Sequence, residues 1–283
     1  MLYYFHRLLY KLGIYKRINV TLKTTIDNKK ISIPIINEFG YYHLLKHEEW
    51  FTSLLKQLLP ISEGAFVDVG MNIGQTLLKV FSADSNREYF GFEPNPICYY
   101  YCQRLIEVNN FNNCHLFPVG LFDKDDILTL YMDMDIATGA SVLKDFRTNM
   151  NRYKKHINVP VFRGDKILAK FQKKIGILKA DVEGAELEVI KGSLKIIERD
   201  FPFLILEILP VYNIKNPNGQ YRKKRQEELV SLLLNIGYSL FRINTDNSSL
   251  IALDNIEMHD RMENTNYLFV PASKRELLNI NLA

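Results

Sequence analysis

The chain has 283 residues, 47% of them hydrophobic and 24% charged, enough apolar surface to offset the entropy of ordering and so to exclude intrinsic disorder. Its 36 Lys and Arg against 32 Asp and Glu leave a net charge of +4, scattered rather than gathered on one face, so no nucleic-acid partner is expected. Three cysteines make no disulfide framework, and a reducing, cytoplasmic compartment is expected.

In chain order, Leu2, Phe5, Leu8, Leu9 and Leu12 recur at helical spacing, which predicts an amphipathic helix. Arg7 and Lys11 interrupt the apolar run, so it is neither a signal peptide nor a membrane span. Two readings stand: the helix packs on the domain, or residues 1–16 lie on a membrane surface, which would place the protein peripherally at the inner membrane. Residues 18–26 and 31–35 alternate around Asp27-Asn28 and predict a hairpin. Trp50 to Leu59 reads as a helix ended by Pro60. Residues 1–60 thus form a helical and hairpin extension, and residues 61–283 a separate main domain.

From residue 64, short buried runs alternate with helical segments: Ala65–Val69, Glu88–Phe92, Cys114–Val119, Ile175–Ala180 and Phe203–Ile208. Such alternation predicts an α/β fold, a doubly wound and mostly parallel sheet. Residues 127–163 read as an insertion or edge hairpin. A helix from about Lys224 to Asn235 and strands Tyr238–Ile243 and Tyr267–Val270 close the chain. The basic run Arg222-Lys-Lys-Arg225 reads as a solvated face or loop, with contact to an anionic substrate as the alternative.

Phe66-Val-Asp68-Val-Gly70-Met-Asn72-Ile-Gly74 carries a strand into a glycine turn, and Glu93 ends the next strand 19 residues after Gly74. In a doubly wound sheet that acid accepts from a ribose diol. A dinucleotide site wants G-x-G-x-x-G around a pyrophosphate; here the middle glycine is missing. Asp68 before the first glycine would repel a pyrophosphate but accept from an ammonium, which favours S-adenosylmethionine. The second dense motif is Ala180-Asp181-Val-Glu183-Gly184-Ala-Glu186-Leu-Glu188. Asp181 ends a buried strand, where open α/β sheets place ligands. Asp181 and Glu183 share a face while the chain stays extended, and Glu186 and Glu188 suit the first turn of the following helix. Glu207, on the next strand, is a further acid in an apolar run that needs a partner or a cleft.

Phe66–Gly74, Gly91–Pro96, Ile177–Gly192, Leu204–Ile208 and Asn266–Pro271 together resemble the FkbM family of methyltransferases, over roughly residues 62–272. The resemblance implies a class I, Rossmann-like methyltransferase fold with an antiparallel last strand, S-adenosylmethionine as cofactor, and O-methylation of a sugar, glycan or polyketide hydroxyl. Gly139-Ala-Ser141 falls where the family carries a small-residue-Ser segment; Arg163-Gly164-Asp165 departs from its pattern and leaves Asp165 without an assigned role. The expected cofactor-binding residues are Asp68, Gly70, Asn72, Gly74, Glu93, Pro94 and Leu121. Asp181 is the expected general base, with Glu183 second. No metal is expected, since Cys98, Cys102 and Cys114 lack zinc-site spacing and His259 with Asp254 and Asp260 reads as a polar loop. The competing readings are an NAD-linked oxidoreductase or epimerase, and a non-catalytic binding module on the same fold. The acceptor is a small molecule or glycan; abundant Lys, Asn and Ile fit an AT-rich bacterial genome and a surface-glycan pathway.

Overall fold

A computed structural model describes residues 2–45, 48–133, 140–143 and 155–278. The amino-terminal helix α1 (Leu2–Lys11) leads to a hairpin of β1 (Asn19–Ile26) and β2 (Lys29–Ile36). The hairpin turns on Asp27 and Asn28, both at positive φ (49° and 63°), the conformation a two-residue turn needs to match strand twist. Helix α2 (Glu49–Leu58) follows, and Pro60 sits in the 3₁₀ turn after it.

The main sheet alternates with helices: β3 (Ala65–Val69), α3 (Gln75–Ala83), β4 (Tyr89–Phe92), α4 (Pro96–Asn109), β5 (Cys114–Phe117). A side sheet follows, of β6 (Gly120–Phe122), β7 (Asp126–Met132) and β8 (Lys155–Arg163), ordered β6-β8-β7. Then come α5 (Gly164–Leu168), β9 (Ile175–Ala180), α6 (Glu186–Gly192), α7 (Leu194–Asp200), β10 (Phe203–Glu207), α8 (Pro217–Asn235), β11 (Tyr238–Ile243), β12 (Leu250–Leu253) and β13 (Asn266–Pro271). The main sheet runs β12-β11-β13-β10-β9-β3-β4-β5. Strands β10, β9, β3, β4 and β5 are parallel neighbours, and β13 enters antiparallel between β10 and β11. This is the doubly wound sheet with an antiparallel last strand that the sequence predicts; β12 extends its edge.

Alternation along each central strand divides its side chains between two cores. Phe66, Ile177 and Ile205 face a core built with α2, α3, α4 and the hairpin, to which Tyr15, Ile33, Leu54 and Leu58 of the extension belong. Val67, Leu178, Leu204 and Leu206 face a second core with α6, α7 and α8. Helix α8 begins seven residues before the expected Lys224. Asn216 caps it, accepting from Gly219 N at 2.7 Å, and Pro217 occupies the first turn, where its missing N–H costs nothing. The basic run on this helix is only in part a solvated face, Lys224 being exposed. Arg222 is buried and reaches the Pro210 carbonyl at 3.3 Å, and Arg225 pairs with Glu188 and holds the Gly184 carbonyl at 3.0 Å. Asp165 gains a role as well, since its carboxylate accepts from Lys195 N and Ile196 N and so caps α7.

Much of the expected apolar stripe of α1 faces outward, Leu9 packing against the first core. Phe5, Leu8 and Leu12 are exposed, and the helix is held instead through His6, bonded to Tyr15 Oη, and Tyr10, stacked on Tyr41 at 4.2 Å. The helix therefore packs on the domain, as one of the two readings has it, through Leu9, His6 and Tyr10 rather than through its whole aliphatic face. Among the described residues no helix is long and apolar enough to cross a membrane.

Candidate active site

At the carboxyl ends of the parallel strands lies a cleft of about 400 Å³, within the range of small-molecule sites. Register builds its floor. Val69 pairs with Ala180, Ala180 with Leu206, and Glu207 with Asn266. One residue further on, Gly70, Asp181, Glu207 and Asn266 stand in a row across the sheet edge, and all four line the cleft. On the β4 side it is lined by Glu93, Pro94, Asn95 and Cys98; Gly120 and Leu121 of the side sheet also face it. Of the expected cofactor residues, Gly70, Asn72, Glu93, Pro94 and Leu121 line the cleft.

Asp68 and Gly74 do not, and their expected contacts are corrected. Asp68 is fully buried and accepts from Tyr89 Oη at 2.5 Å; its other oxygen lies 3.7 Å from Lys179 Nζ. Lys179 reaches the cleft in its place and also pairs with Asp181 at 3.3 Å. Burial pushes the Asp68 carboxyl up, against the opposing pull of Lys179 and Tyr89. Gly74 precedes α3 at φ 87°, and a Cβ there would lie 2.8 Å from Leu105 Cδ2, so it serves the approach of α3 to α4. Gly70, at φ 82°, has a further constraint: a Cβ would meet the Asp181 carbonyl at 2.1 Å. Only glycine lets the β3 and β9 ends close on each other.

Four of the loop amides are spent internally. Gly70 N and Met71 N donate to the Phe92 carbonyl, Asn72 N to Glu93 Oε2 at 2.9 Å, and Gly74 N to the Met71 carbonyl. Those four amides are therefore not offered to a pyrophosphate. Glu93 Oε1 accepts from Asn95 N at 2.8 Å. Each carboxylate oxygen thus keeps one acceptor position, two in all, which matches a vicinal diol. Burial raises the Glu93 pKa to about 7, against the two backbone donors.

Beyond β9 the chain is not extended. Glu183 and Gly184 have φ of 56° and 108°, so Asp181 and Glu183 meet at the cleft because the chain turns, not because they alternate along a strand. The turn is fastened from three sides. Glu186 Oε1 accepts from Val182 N and Gly184 N, Ser141 Oγ donates to the Glu183 carbonyl at 2.9 Å, and Arg225 holds the Gly184 carbonyl. Gly139 lies outside the described residues. Burial lifts the Glu186 pKa to about 8. Glu207 is lifted to about 9, first by the Asp181 carboxylate beside it and then by burial. Its Oε1 accepts from Thr265 Oγ1 at 3.2 Å. Asp181 and Glu207 therefore behave as a carboxyl pair sharing one proton at neutral pH, with Lys179 neutralising the remaining charge.

Lys179 and Asn266 are site residues the sequence reading missed. A lysine inside Ile-Gly-Ile-Leu-Lys-Ala must find a partner or a cleft, the signal already used for Asp181 two residues on. Three more cleft residues, Glu48, Trp50 and Phe51, come from the extension. His259 bonds Tyr267 Oη at 3.1 Å, and among the described residues no cluster of three or more His, Cys, Asp or Glu could hold a metal.

The family model of the methyltransferase FkbM domain matches residues 68–240. Methyltransferase 1 of Beauveria bassiana (strain ARSEF 2860) is 26% identical over 162 residues, 52% of this chain and 65% of that protein. Among solved structures, the methyltransferase FkbM of Methylobacillus flagellatus KT superposes with a TM-score of 0.45 at 16% identity, covering 73% of this chain and 43% of that one. Aeropyrum pernix fibrillarin, solved with natively bound S-adenosyl-L-methionine, superposes at 0.43 and 10% identity over 88% of this chain and 82% of its own. The chain thus spans less than two thirds of the curated relative and less than half of the solved FkbM chain. The matched segment holds the glycine turn, Glu93, the Asp181–Glu186 turn and Glu207, more than half of the whole sequence, and the chain belongs to the FkbM methyltransferase family.

Proposed function

We propose that the protein is an S-adenosylmethionine-dependent O-methyltransferase acting on a hydroxyl of a sugar, glycan or related metabolite. The observation that carries this reading is the row Gly70, Asp181, Glu207 and Asn266 across the sheet edge, with the buried Glu93 carboxylate beyond it. Glu93 keeps two acceptor positions for a ribose diol, Leu121 and Pro94 offer an apolar seat for a base, and the cleft volume suits a nucleoside of this size. With Asp68 behind the wall, Glu183 in the turn beyond β9 is the carboxylate placed to receive an ammonium.

When bound, S-adenosylmethionine supplies an electrophilic methyl group on a sulfonium. The protein's own residues do the rest. Asp181 accepts a hydrogen bond from the acceptor hydroxyl and takes its proton as the oxygen becomes a nucleophile. Glu207, holding the shared proton, donates to Asp181 and fixes its orientation. Lys179 balances the carboxylate charge, and the Asp181–Glu186 turn holds the geometry on which in-line transfer depends.

The decisive experiment is Asp181→Asn, measured for methyl transfer and, by calorimetry, for S-adenosylhomocysteine binding. Turnover is expected to fall by about 10²–10⁴-fold, as for loss of a general base, with binding retained. Near-normal turnover with normal binding would refute the assignment. Binding of NAD in preference to S-adenosylhomocysteine would favour the oxidoreductase reading, and binding without transfer to any acceptor the non-catalytic module.

A further inference from the structure

The wall contributed by α2 has no part in the reaction as described. Glu48, Trp50 and Phe51 line the cleft yet precede the matched residues 68–240. This wall is firmly held. Glu48 pairs with the buried Lys79, whose ammonium lies 5.5 Å from the Phe51 ring centroid. The Trp50 ring lies 5.3 Å from that of Phe51, and the Trp50 carbonyl accepts from Ser248 Oγ at 2.9 Å. Ser248 sits in the turn between β11 and β12, on the opposite side of β9 from β4 and Glu93. The cleft thus has two halves, one around Glu93 and Leu121 and one framed by Trp50, Glu207 and Asn266.

We infer that Trp50, with Glu207 and Asn266, forms the acceptor subsite and selects an uncharged ring bearing several hydroxyls over an anionic one. The inference rests on the methyltransferase reading above and deepens it. The face of an indole carries negative quadrupole and attracts the weakly positive C–H groups on one face of a saturated ring. Glu207 and Asn266 supply acceptors and donors for the hydroxyls at the rim. Charge makes the selection. Among the described lining residues Asp181 and Glu183 bring carboxylates to this half. Glu48 is paired with Lys79, Glu207 shares its proton with Asp181, Glu93 belongs to the other half, and the one lining cation, Lys179, is already engaged by Asp68 and Asp181. A phosphate or carboxylate on the acceptor would meet like charge there.

Trp50 is the chain's one tryptophan, so its emission reports this half of the cleft alone. The probes are methyl glucopyranoside, methyl mannopyranoside and methyl rhamnopyranoside, against glucose 1-phosphate and methyl glucuronide, each titrated with saturating S-adenosylhomocysteine. At least one neutral glycoside is expected to change the emission saturably and to bind at least tenfold tighter than the anionic sugars. By calorimetry, Trp50→Leu should weaken that glycoside at least tenfold and Trp50→Phe much less, both keeping S-adenosylhomocysteine affinity. No response to any neutral glycoside, equal binding of the anionic sugars, or unchanged glycoside affinity in Trp50→Leu would each overturn the inference. Failure of the wild-type protein to bind S-adenosylhomocysteine would instead overturn the methyltransferase reading, and this inference with it.

Discussion

Glu207 carries its proton because Asp181 stands beside it, an arrangement set by β9–β10 register rather than by either local sequence. As pH rises through about 9 the pair loses that proton, and two adjacent carboxylates then repel where one hydrogen bond had fixed Asp181. Wild-type kcat is expected to fall on this alkaline limb. Glu207→Gln stays neutral and keeps a donor, so its activity at pH 7 should remain within about tenfold, with the limb near pH 9 abolished. A kcat–pH profile decides it: an unmoved limb refutes the role of Glu207. The sequence marked Asp181 and Glu207 as acids that needed partners, but not that they were partners of each other. It marked Asp68 too, and misplaced it, because a strand pattern does not reveal that Lys179 of the neighbouring strand would stand between it and the cleft.

Two elements have consequences beyond their own packing. Helix α8 bears Arg225, whose guanidinium spans Glu188 on α6 and the Gly184 carbonyl in the site turn. Arg225→Met leaves the buried Glu188 without its partner and should destabilise the fold by about 3 kcal/mol, measured by denaturant unfolding. Arg225→Lys should restore little, since an ammonium lacks the fork that spans both groups. For α1 we propose contact with an anionic membrane surface, because Tyr4, Phe5, Leu8 and Leu12 are exposed on a helix that also carries Arg7 and Lys11. Sedimentation with vesicles rich in anionic lipid should fall several-fold in Phe5→Asp/Leu8→Asp and should weaken with salt. Equal sedimentation of wild type and variant would remove the proposal. The helix itself was legible from its 3.6-residue period; which face it presents was not, since Tyr10 reaches Tyr41 only in the folded chain.

For the molecule as a whole, pH acts through buried carboxyls. Glu93, Glu186 and Glu207 have folded pKa values raised to about 7, 8 and 9. Between about pH 4.5 and those values the folded protein holds protons that the unfolded chain has released, so stability falls as pH rises. Asp200, lowered by its pairing with Arg199 and the Ile175 amide, acts on the acid side, where its contribution is lost as pH falls. His6 and His259, lowered by burial, add stability as pH rises towards 6.5; Lys79, also lowered by burial, opposes the carboxyls only on the alkaline side. The Tm is therefore expected to peak at about pH 5 and to decline towards pH 9. In Glu207→Gln the decline between pH 7 and 9 should flatten, a result calorimetric scans would show. A Tm that climbs steadily to pH 9 would contradict the protonation states assigned here.

At this scale the division between sequence and structure is clear. The alternation of apolar strands with helical segments determined the doubly wound sheet, because period and burial are local properties of the chain. The glycine turn and the positions of Glu93 and Asp181 followed from the same pattern, since open sheets place ligands at strand ends. What tertiary structure alone decided was proximity. It placed Lys179 between Asp68 and Asp181, set Glu207 beside Asp181, and brought Trp50, some twenty residues before the glycine turn, into the cleft wall. Those contacts depend on strand order, register and helix docking, which join residues far apart in the chain and leave no periodic trace in it.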